Sequence, residues 1–333
     1  MKKIINRASD VVTEMLDGLA YVHSDLVHRV EGFDIIARNA EKTGKVGLIS
    51  GGGSGHEPSH AGFVGQGMLS AAVCGAVFTS PTPDQVFQAI KEADEGAGVF
   101  MVIKNYSGDV MNFEMAQDMA EMEGIQVASV IVDDDIAVED SLYTQGRRGV
   151  AGTILVHKIL GEAARSGQSL EEIKTLADKL GKNIHTVGLA LSGATVPEVG
   201  KPGFVLADDE IEFGIGIHSE PGYRREKMRT SKELAKELAK ELVTKLTDSF
   251  QAKTGDKFCI LINGMGATPL MEQYIFANDV ASLLQEKGLE ISYKKLGNYM
   301  TSLDMAGLSL TLIKLEEDSW QAALESPVTT IAW

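Results

Sequence analysis

Short apolar runs alternate with helix-like segments through the first half of this chain, and this alternation constrains the fold more than any other feature. Residues 46–50, 99–103 and 127–132 are apolar runs of strand length. Residues 83–93 and 110–123 lie between them and carry helical patterns. Strands that alternate with helices favour a largely parallel sheet with helices on its faces. The pattern therefore predicts an α/β fold.

A long helical region and a second set of strands follow. Residues 151–180 have a helical pattern, in which Ser169 is a candidate N-cap. Residues 187–191 and 258–263 are further apolar runs of strand length. Residues 230–246 predict a long amphipathic helix with leucines at four-residue steps. Its apolar stripe fits a helix that faces the core, and a coiled-coil partner helix is the alternative.

The length of the chain suggests two domains. With 333 residues it is about twice as long as a common domain. We expect two α/β domains, each a largely parallel or mixed sheet covered by helices. The boundary between residues 1–185 and residues 186–333 is placed where the helical region ends and the second set of strands begins.

Composition excludes several classes of function. A formal net charge of −16 disfavours nucleic acid as a partner. No apolar run approaches the roughly 18–20 residues that span a membrane, and no signal peptide is recognisable, so a cytoplasmic location is expected. Cys74 and Cys259 are far apart and lack metal-site spacing, so both are predicted to be small buried residues.

A glycine-rich segment follows the first predicted strand. Residues 50–58 read SGGGSGHEP, and consecutive glycines let backbone N–H groups converge on a bound oxygen or phosphate. A tight turn that needs small residues is the alternative. His56, at the end of this segment, suits acid–base chemistry. His60 could share a helical face with His56 as a metal pair, but no third ligand is near in sequence.

Charged residues follow the second predicted strand. Lys104 and Asp109 offer a cation for an oxygen atom and a carboxylate for a proton. The alternatives are a solvated loop charge for Lys104 and a helix N-cap for Asp109. Polar clusters after two strands of one sheet favour a pocket at that edge.

Three later segments carry further candidates. Residues 133–135 are three aspartates, which could bind a divalent cation or cap the next turn. The arginines of residues 146–149 could grip an anion or pair with those aspartates. His218 follows a glycine-interleaved strand, and a neutral imidazole there is an exposed nucleophile that can add to a carbonyl, or else a structural histidine. Two further loops, at residues 263–269 and 301–307, could shape a pocket wall or a subunit contact.

Taken together, these segments resemble the dihydroxyacetone kinase family, specifically its substrate-binding K subunit. The resemblance extends over nearly the whole chain, in order and without large gaps. The matching segments are GGGSGHEP at 51–58, FTSPTPDQ at 78–85, IKNYSGD at 103–109, DDDIAVEDSLYTQGRRGVAG at 133–152, GIHSEPG at 216–222, NGMGATPL at 263–270 and TSLDMAG at 301–307.

The resemblance implies two α/β domains, a homodimer and a set of site residues. It implies that the ketone carbon of dihydroxyacetone is held by a hemiaminal bond to the imidazole of His218. Asp109 matches the family residue that takes the hydroxyl proton, and His56 matches the residue that acts as acid and hydrogen-bond donor during phosphoryl transfer. Gly53 and Lys104 match substrate-contacting positions.

The resemblance also implies how the phosphoryl group arrives. The sequence has no Walker A loop and no protein-kinase motif set, and it ends after the second α/β block. It therefore resembles the phosphoenolpyruvate-dependent bacterial type. In that type a nucleotide-binding L-type subunit holds ADP or ATP with Mg²⁺, and an M-type subunit acts indirectly through the phosphotransferase relay. No cofactor or metal ion is expected in this chain itself.

Two other functions compete with this prediction. A sensor or coactivator paralogue would capture dihydroxyacetone through His218 and act on a transcription regulator. Such a relative is expected to lose part of the transfer machinery, whereas this chain retains His56 and Asp109. A free-standing hydrolase or metalloenzyme is the other competing function. The sequence contains no G-x-S-x-G motif, which disfavours the hydrolase, and no third ligand near His56 and His60, which disfavours the metalloenzyme.

Overall fold

The computed structural model of the chain describes residues 2–139, 141, 144–228 and 233–333. Short 3-10 turns lie at Ala8–Asp10 and Ala61–Phe63. The helices in this part of the chain are α1 (Val11–Val22), α2 (Pro83–Ala93), α3 (Ser107–Met122), α4 (Thr153–Arg165), α5 (Leu170–Gly181), α6 (Leu234–Ser249), α7 (Leu270–Glu286) and α8 (Asp318–Glu325). The strands are β1 (Val27–Arg29), β2 (Ile35–Arg38), β3 (Gly47–Ser54), β4 (Ala71–Val77), β5 (Val99–Lys104), β6 (Val127–Val132), β7 (Ile184–Ala190), β8 (Glu210–Phe213), β9 (Arg224–Lys227), β10 (Lys257–Gly264), β11 (Glu290–Gly297) and β12 (Gly307–Lys314).

These strands form two mixed six-stranded sheets within the described residues. The first has the order β1-β2-β4-β3-β5-β6, and its last four strands run parallel to one another. The second has the order β11-β10-β12-β7-β8-β9, with β10 and β11 parallel and the remaining neighbours antiparallel. The predicted α/β class with mixed sheets is confirmed. The described helices all lack the combination of length and hydropathy that a bilayer-spanning segment requires.

Local sequence patterns predicted several elements well. Both α2 and β6 have the predicted bounds, and Ser169 caps α5 in a capping box with Glu172. The predicted start of the long helix at residue 230 lies outside the described residues. In the described part, α6, the side chains of Leu242 and Leu246 are buried in the core of the second sheet. The prediction of a core-facing helix is therefore confirmed.

Residues 50–54 of the glycine-rich segment belong to β3, so the prediction that this strand ends at Ser50 is wrong. Gly51, Gly52 and Gly53 lie inside β3 and pair in parallel with residues 73–75 of β4. A Cβ atom at Gly51 would overlap the carbonyl oxygen of Val73, and one at Gly53 would overlap the backbone after β4. Gly51 and Gly53 are required because neighbouring backbone comes too close for any side chain.

One hydrophobic cluster joins the two halves of the chain. It contains Phe63 and Ile154 from the first half together with Leu261 and Trp320 from the second. The two cysteines are also buried in this cluster and unpaired, as predicted. A domain boundary at residue 185 stays a prediction, because the apolar core continues across it.

Candidate functional site

A cavity of about 660 Å³ opens at the carboxyl ends of β3 and β5. In parallel sheets this edge is the usual place for ligands, because the loops that follow the strands converge there. Loops from the second half of the chain close the far wall. The residues that line the cavity and carry the argument below are Gly53, Phe78, Tyr106, Asp109, Asn112 and His218.

His218 lies on the second-half wall and is oriented by a neighbouring carboxylate. Its Nδ1 lies 3.0 Å from Oε1 of Glu220, and its backbone N–H donates to Oε2 at 2.8 Å. Burial would raise the pKa of Glu220, but the hydrogen bond and charge of His218 outweigh it and lower that pKa below its usual value. An ionised carboxylate accepts hydrogen bonds, so Nδ1 of His218 carries the hydrogen. The lone pair of a neutral His218 is then on Nε2, the nitrogen that a nucleophile needs.

A buried ion pair supports the loop that carries His218. Arg148 binds Asp135 at 2.6 Å and donates to the carbonyl oxygen of Gly214 at 2.6 Å. The neighbouring Asp134 accepts hydrogen bonds from the N–H groups of Val150 and Gly152. Oδ1 of Asp135 accepts the N–H of Ala137 at 2.8 Å and so caps the next turn, one of the two roles considered for the aspartates. Of the two roles considered for the arginines, pairing with the aspartates is the one observed. The aspartates therefore build the loop that holds His218.

His56 faces His218 directly across the site. Their Nε2 atoms are 3.0 Å apart, and Nδ1 of His56 lies 2.7 Å from the carbonyl oxygen of Thr301. A carbonyl oxygen accepts but cannot donate, so Nδ1 of His56 also carries a hydrogen. Two neutral rings would then direct bare lone pairs at each other. The contact is a hydrogen bond when one of the two Nε2 atoms carries a proton.

The surroundings of His56 disfavour a charge on that ring alone. Burial, reinforced by the charges of His218 and Lys104, lowers the pKa of His56 well below its usual value. The ring of Phe78 stacks on it with centroids 5.1 Å apart. A histidine with a depressed pKa gives up a proton readily, which suits the acid in a proton transfer.

Lys104 and Asp109 form the first-half side of the site. Lys104 is fully buried, and its Nζ lies 3.6 Å from Oδ2 of Asp109. Burial lowers the pKa of Lys104 below its usual value, although the Asp109 carboxylate opposes that shift. Both alternatives from the sequence are wrong: Lys104 is no solvated charge, and Asp109 lies inside the first turn of α3, whose N-cap is Tyr106.

Asp109 keeps one oxygen free for a ligand. It is 3% exposed, and its Oδ1 has no hydrogen-bond partner among the described residues. A buried oxygen without a partner is rare in folded proteins and marks a place where a ligand or water is expected. Asp109 also lines the cavity, so a substrate hydroxyl that enters would find this oxygen.

The two sequence-predicted histidines near the glycine strand have different partners. His56 contacts His218, whereas Nδ1 of His60 lies 2.9 Å from Nε2 of His157. The proposed metal pair of His56 and His60 is therefore not formed by these side-chain contacts. The described residues contain no group of three or more His, Cys, Asp or Glu side chains arranged for a metal ion.

Backbone strain marks the same region. Phe78, Ser219 and Leu303 have positive φ angles of 55°, 67° and 52°. Non-glycine residues rarely adopt this conformation, and it clusters at functional sites where the surroundings hold it. Leu303 also donates its N–H to the carbonyl oxygen of Gly55 at 2.8 Å, so the loop of residues 301–307 forms a wall behind the glycine strand.

Sequence reasoning missed three contributors to the site. Glu220, Tyr106 and Thr301 were not predicted, although each lies in or beside a segment that was singled out. The ring of Tyr106 lies 4.5 Å from that of His218 in an edge-to-face arrangement. A carboxylate two residues after a candidate nucleophile was a usable signal for Glu220. Nothing local indicates that Thr301 contributes through its carbonyl group.

Comparisons with known proteins show what this chain is similar to. The family model described as the Dak1 domain matches residues 17–332. The chain is 70% identical, over 100% of its length and 99% of the relative, to the PTS-dependent dihydroxyacetone kinase, dihydroxyacetone-binding subunit DhaK of Lactococcus lactis. It is 43% identical, over 99% of its length and 100% of the relative, to the DhaKLM operon coactivator DhaQ of the same organism. The solved dihydroxyacetone kinase of C. freundii in complex with AMP-PNP and Mg²⁺ superposes with a TM-score of 0.89 at 35% identity, over 100% of this chain and 60% of that one.

Proposed function

The chain belongs to the Dak1-domain family of dihydroxyacetone kinases, and on this premise we propose that it is the dihydroxyacetone-binding subunit of a phosphoenolpyruvate-dependent kinase. The observation that carries the proposal is the pair of Nε2 atoms of His56 and His218, 3.0 Å apart beside a cavity that Asp109 also lines. This arrangement offers a nucleophile, an acid and a base to one small molecule.

The first step is capture of the carbonyl compound. The Nε2 lone pair of His218 attacks the ketone carbon and forms a C–N bond, while the π electrons of the C=O bond move to its oxygen. A proton on Nε2 of His56 passes to that oxygen and completes the hemiaminal, which leaves the ring of His56 neutral. Glu220 stays hydrogen-bonded to Nδ1–H and balances the positive charge on the substituted ring. A polyol without a carbonyl group, such as glycerol, cannot be captured in this way.

The second step is phosphoryl transfer. Asp109 takes the proton of a terminal hydroxyl through its free Oδ1, and the hydroxyl oxygen attacks the γ-phosphorus of ATP. The bond between that phosphorus and the bridging oxygen breaks, ADP leaves, and dihydroxyacetone phosphate is released when the C–N bond reverts. Capture fixes the hydroxyl in place, so proximity contributes to the rate.

The phosphoryl donor is proposed to reach the site on another protein. A nucleotide-binding L-type subunit would hold ATP with Mg²⁺, and an M-type subunit would restore it indirectly from phosphoenolpyruvate. The name of the Lactococcus lactis relative, a binding subunit of a PTS-dependent kinase, supports this division of labour. The homodimer and the roles of Gly53 and Lys104 as substrate contacts stay predictions.

Glu220 gives a prediction for the capture step. Glu220→Gln removes the negative charge that balances the substituted ring of His218 while it keeps the shape of the side chain. Hydrogen bonds to charged groups contribute about 1.5–3 kcal/mol. We therefore expect capture of dihydroxyacetone to weaken by about 10- to 100-fold. Isothermal titration with dihydroxyacetone measures this change.

A matched control for that variant lies on β8, the strand before the loop that carries Glu220. Glu212 is also a buried carboxylate, but it accepts hydrogen bonds from Gly222 and Arg225 and does not contact His218. Glu212→Gln should leave the affinity for dihydroxyacetone within a factor of about two. Equal loss in both variants would mean that Glu220 matters for the fold of the loop and not for His218.

A coactivator role is the second candidate, because the chain is 43% identical to the coactivator DhaQ over nearly its whole length. One experiment separates the two. Formation of dihydroxyacetone phosphate is measured with the purified chain and ATP in one arm, and with the L-type and M-type subunits and the phosphoenolpyruvate relay added in the other. Product in the second arm alone supports the proposal. Product with ATP alone would reveal a nucleotide site in this chain, and no product in either arm favours the coactivator.

A further inference from the structure

A chain of buried polar groups continues from the site into the core. Nζ of Lys104 lies 3.6 Å from Oδ2 of Asp109 and 3.2 Å from Nε2 of His60. Nδ1 of His60 lies 2.9 Å from Nε2 of His157, which belongs to α4. These four side chains are each at most 4% exposed, so water does not replace any of these contacts.

The hydrogens of this chain can be assigned from the chemistry of its members. An ammonium group only donates, so Nε2 of His60 must accept from Lys104. His60 then carries its hydrogen on Nδ1 and donates it to Nε2 of His157. His157 in turn carries its hydrogen on Nδ1, an atom without a partner among the described residues. Both histidines are therefore neutral Nδ1–H tautomers.

Electrostatics agree with neutral rings. Burial, together with the charge of Lys104, lowers the pKa of His60 well below its usual value and that of His157 to about 3. The charged group that acts on the pKa of Lys104 is Asp109 from α3, which raises it against the effect of burial. Together with burial, the charge of Lys104 in turn lowers the pKa of His56 and His60 from the segment after β3 and of His157 from α4. Asp109 is the anion of this set, and His60 supplies the neutral acceptor.

The three N–H bonds of the Lys104 ammonium group are shared among protein atoms. One donates to the carbonyl oxygen of Gly51 at 3.1 Å, one to His60, and the third faces Asp109. A Cβ atom at Gly52 would overlap Nζ, so glycine leaves the space in which the ammonium group lies. A buried charge is stable only when its hydrogen bonds are satisfied, so loss of the His60 acceptor favours the neutral amine.

We propose that His60 and His157 are positioning residues for phosphoryl transfer, which hold Lys104 as a charged group beside Asp109. His157 fixes the tautomer and orientation of His60, His60 fixes Lys104, and Lys104 fixes the carboxylate that takes the hydroxyl proton. The proposal rests on the function proposed above. It assigns no contact with substrate to either histidine.

The direction of the pH effect follows from this arrangement. Activity requires charged Lys104, so it is lost as pH rises through the pKa of that lysine. Without the acceptor at residue 60 that pKa falls further, and the alkaline limb of the kcat profile moves to lower pH. The hydrogen bonds of His60 are to Lys104 and His157 and not to His218 or Glu220, so capture of dihydroxyacetone on His218 should stay unchanged.

Paired variants test the proposal in the reconstituted kinase. His60→Leu removes the acceptor, whereas His60→Gln keeps an oxygen for Lys104. We expect His60→Leu to lower kcat by about 10- to 100-fold, with the alkaline limb shifted to lower pH and the affinity for dihydroxyacetone within about twofold of wild type. His60→Gln should recover most of the activity. At residue 157 the same order is expected: His157→Leu should lower kcat more than His157→Gln. The proposal would be overturned if the alkaline limb of the kcat profile fell at the same pH in His60→Leu and in His60→Gln.

A second measurement needs neither turnover nor correct assembly. Nitrogen-15 NMR of histidine-labelled chain reports which ring nitrogen bears hydrogen, and carbon-13 NMR of labelled lysine follows the titration of Lys104. We expect Nδ1–H tautomers for His60 and His157, and a Lys104 titration at lower pH in His157→Leu than in wild type. An Nε2–H tautomer on His60, or an unchanged titration, would contradict the inference. If the wild-type protein shows no turnover, the proposed function is overturned. The NMR measurements would still test the tautomers of His60 and His157 and the titration of Lys104.

Discussion

Replacing His218 with Asn is expected to abolish capture of dihydroxyacetone and to lower kcat/KM of the reconstituted kinase by about 10⁴-fold or more, the scale seen when a covalent nucleophile is removed. The amide nitrogen of Asn can take the place of Nδ1 and donate to Glu220, so the loop keeps its hydrogen bond. What disappears is Nε2, the atom that forms the C–N bond. The loss therefore reports on chemistry more than on folding.

Two measurements check this result. Formation of dihydroxyacetone phosphate gives kcat/KM, and carbon-13 NMR of dihydroxyacetone labelled at the ketone carbon detects the change from carbonyl to hemiaminal. His185 offers a control, because it lies on β7 and contacts Ser249 instead of the cavity. His185→Asn should keep both signals. A His218→Asn protein that turns over within about tenfold of wild type would rule out the covalent role of His218.

The second large effect concerns the base. Asp109→Asn keeps the shape of the side chain and an oxygen that accepts hydrogen bonds, but an amide cannot take a proton. General-base catalysis typically contributes about 10²–10⁴-fold, and we expect kcat to fall by that factor. The hemiaminal should still form, because its nucleophile and acid are His218 and His56. Formation of dihydroxyacetone phosphate measures turnover, and carbon-13 NMR of the labelled ketone carbon measures capture, so the two steps can be separated.

A control and a contrary outcome can be stated for this variant. Asp118 is an exposed carboxylate farther along α3, so Asp118→Asn changes the same charge on the same helix without reaching the cavity. It should leave kcat within about twofold. Full turnover in Asp109→Asn would contradict the role of the base. Loss of the hemiaminal in parallel with turnover would show that Asp109 acts in binding instead of proton transfer.

The two predictions together distinguish a kinase subunit from a coactivator. A protein that only senses dihydroxyacetone needs His218 but has no use for a base. If Asp109→Asn changed nothing while His218→Asn abolished capture, the coactivator role would be favoured. Loss of turnover in both variants, with capture lost in one of them, is the pattern that the proposed function requires.

Local pattern was enough to predict much of the fold. The βαβ alternation, the bounds of α2 and β6 and the cap at Ser169 all follow from hydrophobic periodicity and capping, which act between residues a few positions apart. The same local reasoning wrongly predicted that the strand ends before the glycine segment. Its strand continues through Gly51–Gly53, where the glycines leave room for neighbouring backbone and for the Lys104 side chain, and a run of glycines carries no strand pattern of its own.

The site shows the same division at the level of chemistry. Residue type and motif spacing are properties of the chain, so the α/β class, the family resemblance and the candidates His56, Lys104, Asp109 and His218 could be predicted without a structure. The contacts between distant residues are visible in the folded chain alone: His56 meets His218 across 162 positions and Thr301 across 245, and His60 turns inward to Lys104. Those contacts depend on how the loops of two sheets pack against each other. Tautomers, burial and charge follow from that packing, and no local pattern encodes it.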